Sequence, residues 1–196
     1  MRIPTDAEIE TLHRDHAPTR DAFESVYEHC RIVCRLAEQF LPTLDVNREL
    51  VRAGALLHDI GVYRLYTASG VLDTTEYVRH GLLGHELLAD LGFPEAISRF
   101  CSRHTGVGIT RDDVLRQALP IPAADYVPES REEEVVMYAD KFHSKRTPPV
   151  FVSGASYEVA VRRWGEDKAL AFAALRRRYG DPELGSLSIA TGCAVV

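Results

Sequence analysis

The run "GALLHDIG" at residues 54–61 closes an apolar stretch with His58 and Asp59 side by side. Buried polar groups are costly unless a partner satisfies them. Four further polar residues stand where apolar stripes should continue. His29 falls between Val26 and Val33, and His80 between Tyr77 and the Gly84, Leu87 face. His104 ends a stripe of Ile97, Phe100 and Cys101, and Asp140 follows Val136 and Met137. Helical spacing turns all six inward from five separate segments. One inward histidine is ordinarily a hydrogen-bonded core residue, and one inward aspartate can cap a neighbouring helix. Six such groups in a small domain call for a shared partner. Divalent metal ions accept neutral imidazole and carboxylate together, and two of them would hold both aspartates ionised. The candidate metal ligands are therefore His29, His58, Asp59, His80, His104 and Asp140. His58 and Asp59 form the catalytic centre, with Asp59 shared between two ions. Successive helical residues point about 100° apart. Asp59 is thus expected at a frayed helix end, with Gly61 letting the chain turn away.

The remaining histidines read differently. His85 lies about 140° round the helix from His80, so it belongs to the surface or supports a ligand. His13 and His16, in "HRDH", read as a solvated charged face. His143, one turn after Asp140, is a candidate supporting residue.

These residues must be carried by helices. "TDAE" at 5–8 is a capping box opening a helix to about residue 16. Residues 20–41 carry an apolar stripe at Ala22, Val26, Val33, Leu36 and Phe40. Asn47 opens a helix to residue 58. "DTTE" at 73–76 predicts a cap and a helix to about Leu91, stopped at Gly92. Pro94 suits the first turn of a helix to about His104. "TRDD" starts a short helix, and "SREE" at 130–133 one that continues to about Ser144. Residues 156–179 read as helical with a break at Gly165, and the tail "SLSIATGCAVV" is too short to judge. Strand signals are scarce and the helix links short, which implies an all-α domain. The Gly- and Pro-rich stretch 105–129 follows His104 directly and reads as a loop over a site.

With 196 residues and 45% apolar composition, the chain suits one domain with a substantial core. No apolar run approaches the roughly 20 residues of a membrane span. The N-terminus lacks the pattern of a secretory signal, and a cytoplasmic location is expected. The net charge of −6 argues against a duplex nucleic-acid partner, yet a few local Arg and Lys can still hold a phosphate. Cys30, Cys34, Cys101 and Cys193 form no CxxC pair and read as small hydrophobes.

The set His29, "HD" at 58–59 and Asp140, with His80 in "HGLLG" and His104 in "HTG", resembles the HD-domain superfamily of metal-dependent phosphohydrolases, over roughly residues 22–145. "HTGVGIT…LP…DYVPES…EEVVMYADKF" is further similar to small uncharacterised HDIG-type proteins found mainly in archaea. The resemblance implies an all-α HD-domain helical bundle over residues 20–147. A helix over 1–19 precedes it, and a C-terminal helical extension and tail over 148–196 follows. It implies two divalent ions (Fe, Mn, Zn, Ni or Co) and hydrolysis of a small phosphorylated substrate, a nucleotide above all. Many HDIG proteins carry lysine directly after the glycine, where this chain has Val62; Arg64 is the candidate replacement. Arg103, Thr105 and Lys141, each beside a proposed ligand, complete the candidate substrate-binding set, with Arg79 and the backbone at Gly106 as further candidates. The same ligands suit a di-iron HD-domain oxygenase acting on a small polar or phosphonate substrate, which is the principal alternative. A catalytically silent nucleotide sensor and a structural metal site are weaker ones, since all six ligands are present and structural sites are usually cysteine-rich. The helix at 166–179 offers a surface for a homodimer.

Overall fold

A computed structural model describes residues 2–67 and 69–196. The helices are α1 (Asp6–His16), α2 (Arg20–Phe40), α3 (Arg48–Leu57), α4 (His80–Asp90) and α5 (Glu95–Ser102). They are followed by α6 (Arg111–Arg116), α7 (Arg131–Asp140), α8 (Gly154–Val161), α9 (Glu166–Tyr179) and α10 (Gly185–Thr191). The only sheet among the described residues joins β1 (His143–Ser144), β2 (Val150–Phe151) and β3 (Ala194–Val195). β1 and β2 are antiparallel, with His143 opposite Phe151; β3 joins β2 in parallel, with Ala194 opposite Val150. The fold is all-α. No helix among the described residues is long and apolar enough to cross a membrane.

The expected caps at Thr5, Asn47, Thr110 and Ser130 all accept a backbone N–H three residues on, satisfying a donor that the first helical turn leaves free. α2 packs on α3 and both pack on α7, while α4 packs on α5. Their apolar faces form one core, to which Phe151, Val161, Ala169 and Phe172 from the C-terminal segments also contribute. Three of the cysteines are buried there as free thiols.

Four local expectations are corrected. "DTTE" is not a helix cap: Asp73 Oδ1 accepts from Thr75 N and Oγ1, an Asx turn, and a 3-10 turn at Tyr77–Arg79 leads into α4. α7 ends at Asp140 rather than Ser144, because the chain there turns into β1. α5 stops at Ser102, two residues before His104. His13 is not on a solvated face. It is fully buried, with its ring nitrogens 2.9 Å from the Tyr63 hydroxyl and 2.8 Å from the Leu56 carbonyl, and so ties α1 to the segment that carries His58.

Gly61 has a different role from a turn. A Cβ there would lie 2.1 Å from the His80 carbonyl oxygen and 2.2 Å from Gly84 N. Its missing side chain lets the 3-10 segment Ile60–Leu65 press against α4, which draws Asp59 and His80 together.

Candidate metal centre

His29 comes from the middle of α2, His58 from the C-cap of α3, Asp59 from the residue after it, and Asp140 from the last residue of α7. His80 opens α4, and His104 lies just beyond α5. All six converge. His29 Nε2 lies 3.0 Å from Asp140 Oδ1 and 3.4 Å from Asp59 Oδ2. His58 Nε2 lies 3.6 Å from Asp140 Oδ1 and 3.7 Å from Asp59 Oδ2. The other Asp59 oxygen, Oδ1, lies 3.4 Å from both His80 Nε2 and His104 Nε2. Two ligand groups, His29–His58–Asp59 and His80–His104–Asp59, therefore share one carboxylate, and each is compact enough to hold an ion.

The ring tautomers support a cation. His80 Nδ1 lies 2.5 Å from the Tyr77 carbonyl, and His104 Nδ1 lies 3.0 Å from that of Phe100. Carbonyls accept, so each Nδ1 carries the proton and each Nε2 is bare. Those two bare nitrogens stand 3.0 Å apart. Two lone pairs at that distance repel, and a cation between them removes the conflict. The donor set therefore fits divalent metal. His58 Nδ1 is 2.7 Å from the Ala55 carbonyl in the same arrangement, with its Nε2 3.3 Å from that of His29.

The electrostatics agree. Burial, joined by the Lys145 charge, pushes His29 down to about 3, and burial pushes His80 to about 4. Burial also lowers His104. Buried imidazoles kept neutral are ready ligands. Burial opposes charge on His58, yet neighbouring Cys30 and the Asp59 and Asp140 carboxylates raise it well above its usual value; this end of the cluster attracts positive charge. Burial would raise both carboxyls, but Lys145 holds Asp59, and Lys141 holds Asp140, well below the usual carboxylate range.

The structure distributes the predicted substrate-binding residues unequally. Lys141 is buried, donating to Asp140 Oδ2 (2.6 Å) and the His104 carbonyl (2.9 Å). Thr105 lines a cavity of about 280 Å³ beside His80, formed by the loop through Gly106 and Gly108. Arg64 and Arg103 line neither cavity described here. Arg64 points to Glu86 and Asp90 along α4, and Arg103 is held by Glu129 and the Val127 carbonyl. Arg103 directly precedes a candidate ligand and Arg64 is the candidate replacement for the lysine absent after Gly61, but neither side chain turns towards the cluster. Arg79 likewise pairs with Glu76. His85 contacts Ser102 and Glu95, apart from the cluster.

Sequence reasoning missed Lys145. Its ammonium contacts Asp59 Oδ2 and lies 5.9 Å above the Tyr77 ring. It lines a larger cavity, about 740 Å³, open beside His29 and Asp140 and including Val62, Tyr77, Tyr157 and Trp164. Lys145, just after β1, thus brings an ammonium beside Asp59 from a distant part of the chain. His143 is buried with Nδ1 2.8 Å from His29 Nδ1.

With this geometry in view, a family model described as HD domain matches residues 26–145. An uncharacterised protein of Methanocaldococcus jannaschii is 38% identical over 130 residues, 63% of this chain and 70% of that one. A tRNA (cytidine(56)-2'-O)-methyltransferase of Picrophilus torridus is 35% identical over 126 residues, 64% of this chain but 33% of its own length. The chain therefore spans about a third of that relative. Among solved structures, the HD domain of the L. monocytogenes phosphodiesterase PgpH in complex with cyclic-di-AMP aligns with a TM-score of 0.52 and 17% identity, covering 87% of this chain and 96% of that one.

Proposed function

The chain belongs to the HD-domain family, and on that footing we propose that it is a metal-dependent phosphohydrolase acting on a nucleotide or similar small phosphate ester at a centre of two divalent ions. The observation that carries this reading is the division of Asp59, one oxygen facing each ligand group, beside bare imidazole nitrogens 3.0 Å apart. When bound, such ions lower the pKa of coordinated water towards neutrality and neutralise charge gathering on phosphoryl oxygens. Imidazole and carboxylate ligands suit Mn, Fe, Co, Ni or Zn.

The chain's own residues prepare the site. Asp59 stays ionised and offers both oxygens. Backbone carbonyls at Nδ1 aim His58, His80 and His104 with Nε2 inward. Lys141 fixes Asp140 to the segment bearing His104. Lys145 offers a cation to a phosphoryl oxygen from the wall of the larger cavity, and Tyr77 and Tyr157 there offer ring faces to a base. A volume of about 740 Å³ is of the size that small-molecule sites have. PgpH, whose HD domain is similar in fold, binds the nucleotide cyclic-di-AMP, which supports a nucleotide here.

The test is hydrolysis of a panel of nucleotides and generic phosphate esters by purified protein loaded anaerobically with Mn²⁺, beside His58→Ala and Asp59→Ala. Turnover that vanishes in both variants supports the reading. No turnover from protein shown to hold the ions overturns it, and substrate-dependent oxygen uptake by iron-loaded protein would then favour the oxygenase.

A further inference from the structure

Of the cavities that flank the ligand cluster, two differ sharply in charge. The smaller one, beside His80, is walled by the Thr105–Ile109 loop and apolar side chains. Lys168 reaches it already committed to Asp113 and the Gly108 carbonyl. The larger one, beside His29 and Asp140, is lined by Lys141, Lys145, Arg146 and Arg163, against a single lining side-chain carboxylate, Asp140. That concentration of cations lies in a chain of net charge −6. Lys141 and Lys145 rest on the ligand carboxylates. Arg146 and Arg163 form no ion pair among the described residues, and the Arg163 guanidinium stacks 4.0 Å over the Trp164 ring, which orients its planar fork. Tyr77, Tyr157 and Trp164 line both cavities.

A second observation is an unpartnered polar group at the edge of the larger cavity. If His29 Nε2 holds metal, its Nδ1 carries the proton and donates to His143 Nδ1, 2.8 Å away. His143 then carries its own proton on Nε2. That nitrogen is buried and has no partner among the described residues, while the ring lines the cavity. A buried N–H of this kind calls for an acceptor.

From these observations we infer that the larger cavity holds a second phosphate of the substrate, bound by Arg146 and Arg163, so that the preferred substrate is a nucleotide phosphodiester carrying a phosphate beyond the one hydrolysed. The inference rests on the phosphohydrolase reading. The scissile phosphorus lies at the ligand cluster, the phosphorylated nucleoside extends past Lys145 into the cationic cavity, and the other nucleoside lies against the Gly106–Gly108 loop. Planar guanidinium groups match phosphate in two-point contacts. For a linear dinucleotide, hydrolysis consumes one water and breaks the phosphorus–O3′ bond, releasing two mononucleotides when a 5′-phosphate is present and a nucleoside with one mononucleotide when it is not. The second phosphate can be a terminal one or the second bridge of a cyclic dinucleotide.

The experiment compares linear diadenylate with and without a 5′-phosphate, and cyclic diadenylate, on Mn²⁺-loaded full-length protein. Both hydrolysis and equilibrium binding are measured, the latter by calorimetry. The 5′-phosphate is expected to raise kcat/KM and affinity by about tenfold or more. In the Arg146→Ala, Arg163→Ala double variant that ratio should fall close to one, and Arg163→Lys should retain part of it. A better cyclic than 5′-phosphorylated substrate, with the preference again lost in the double variant, identifies the second phosphate as a bridge. Equal handling of the linear pair, together with a cyclic substrate no better than either, overturns the inference while leaving the phosphohydrolase standing. So does a preference that survives the double substitution. If no ester is hydrolysed the functional reading fails on its own, and the binding ratio still decides the subsite. Thermal unfolding of each variant checks that it is folded.

Discussion

Two of the knots of buried charge in this fold are built oppositely. In one, Glu133 on α7 accepts from Arg99 at 2.9 Å and from the Glu129 backbone at 2.8 Å, while Arg103 reaches Glu129 at 2.6 Å. Both oxygens of the buried Glu133 carboxylate have a donor. In the other, His80 and His104 present bare nitrogens to each other, and Asp59 divides its oxygens between two groups of imidazoles. The first knot is satisfied by the chain itself and holds α5 to α7. The second is only partly satisfied by the chain: Lys145 and Lys141 meet the carboxylates, but the facing imidazole nitrogens of His80 and His104 have no donor between them. Burial alone does not mark a functional cluster; burial with no internal solution does.

The comparison is broken most forcefully by metal. Divalent ions should stabilise the fold by about 2.7 kcal/mol per site at a free concentration a hundredfold above Kd. Two independent sites would add about 5 kcal/mol. Thermal unfolding against Mn²⁺ concentration measures this. Asp59→Ala should abolish the response at both sites, because both use that carboxylate. A variant that keeps half the response would show that Asp59 serves one ion only.

Glu133→Ala should act in the opposite sense. Removing one partner of a buried pair destabilises by about 3–5 kcal/mol. Urea unfolding should show that loss, with the stability increment on adding Mn²⁺ unaltered. A lost increment would mean that the two knots are mechanically one.

How far the sequence foretold this molecule follows from the same contrast. The six candidate ligands are readable because a polar residue on an apolar helical stripe breaks a regular period, and α2, α3, α4, α5 and α7 supply that period. Lys145 carries no such mark. Helical extrapolation from Asp140 through Ser144 aims it elsewhere, and only the turn into β1 brings it to Asp59. Arg163 lies on a 3-10 turn far along the chain, and no local pattern brings it to the same cavity as residue 29. The three short strands are two residues each, below what alternation can reveal. Arg64 and Arg103 show the complementary case, since nearness in sequence to Gly61 or to a candidate ligand does not fix where a long side chain points.

His13 offers a smaller test, outside both knots. Burial lowers its imidazole to about 4, against about 6.5 in the unfolded chain. The folded state therefore prefers the neutral ring. The stability it contributes is full above about pH 6.5 and falls as the pH drops towards 4, because only the unfolded chain takes up the proton. The loss over that range is about 3 kcal/mol. The pH dependence of unfolding should be shallower in His13→Gln by that amount, both measured without metal so that proton competition at the ligands stays constant. An unchanged slope would place the charge-sensitive burial in the metal cluster alone.

The least effect should come from the cap of α6, a self-satisfied polar group in miniature. Thr110 Oγ1 accepts from Asp113 N at 3.1 Å, and Asp113 Oδ2 accepts from Thr110 N at 2.9 Å. Lys168 contacts the same carboxylate and donates to the Gly108 carbonyl at 3.0 Å, so the cap also secures the loop lining the smaller cavity. Burial would raise the Asp113 carboxyl, but Lys168 and Thr110 hold it well below the usual range. Its contribution is thus present above the unfolded carboxylate pKa and is lost as pH falls through the folded value. Thr110→Ala should lower stability by about 1 kcal/mol at neutral pH, and the deficit should shrink in acid. If the satisfied knots are scaffold alone, the variant will bind Mn²⁺ as the wild type does. A change in metal affinity would instead show that the loop after His104 transmits its position to the ligands.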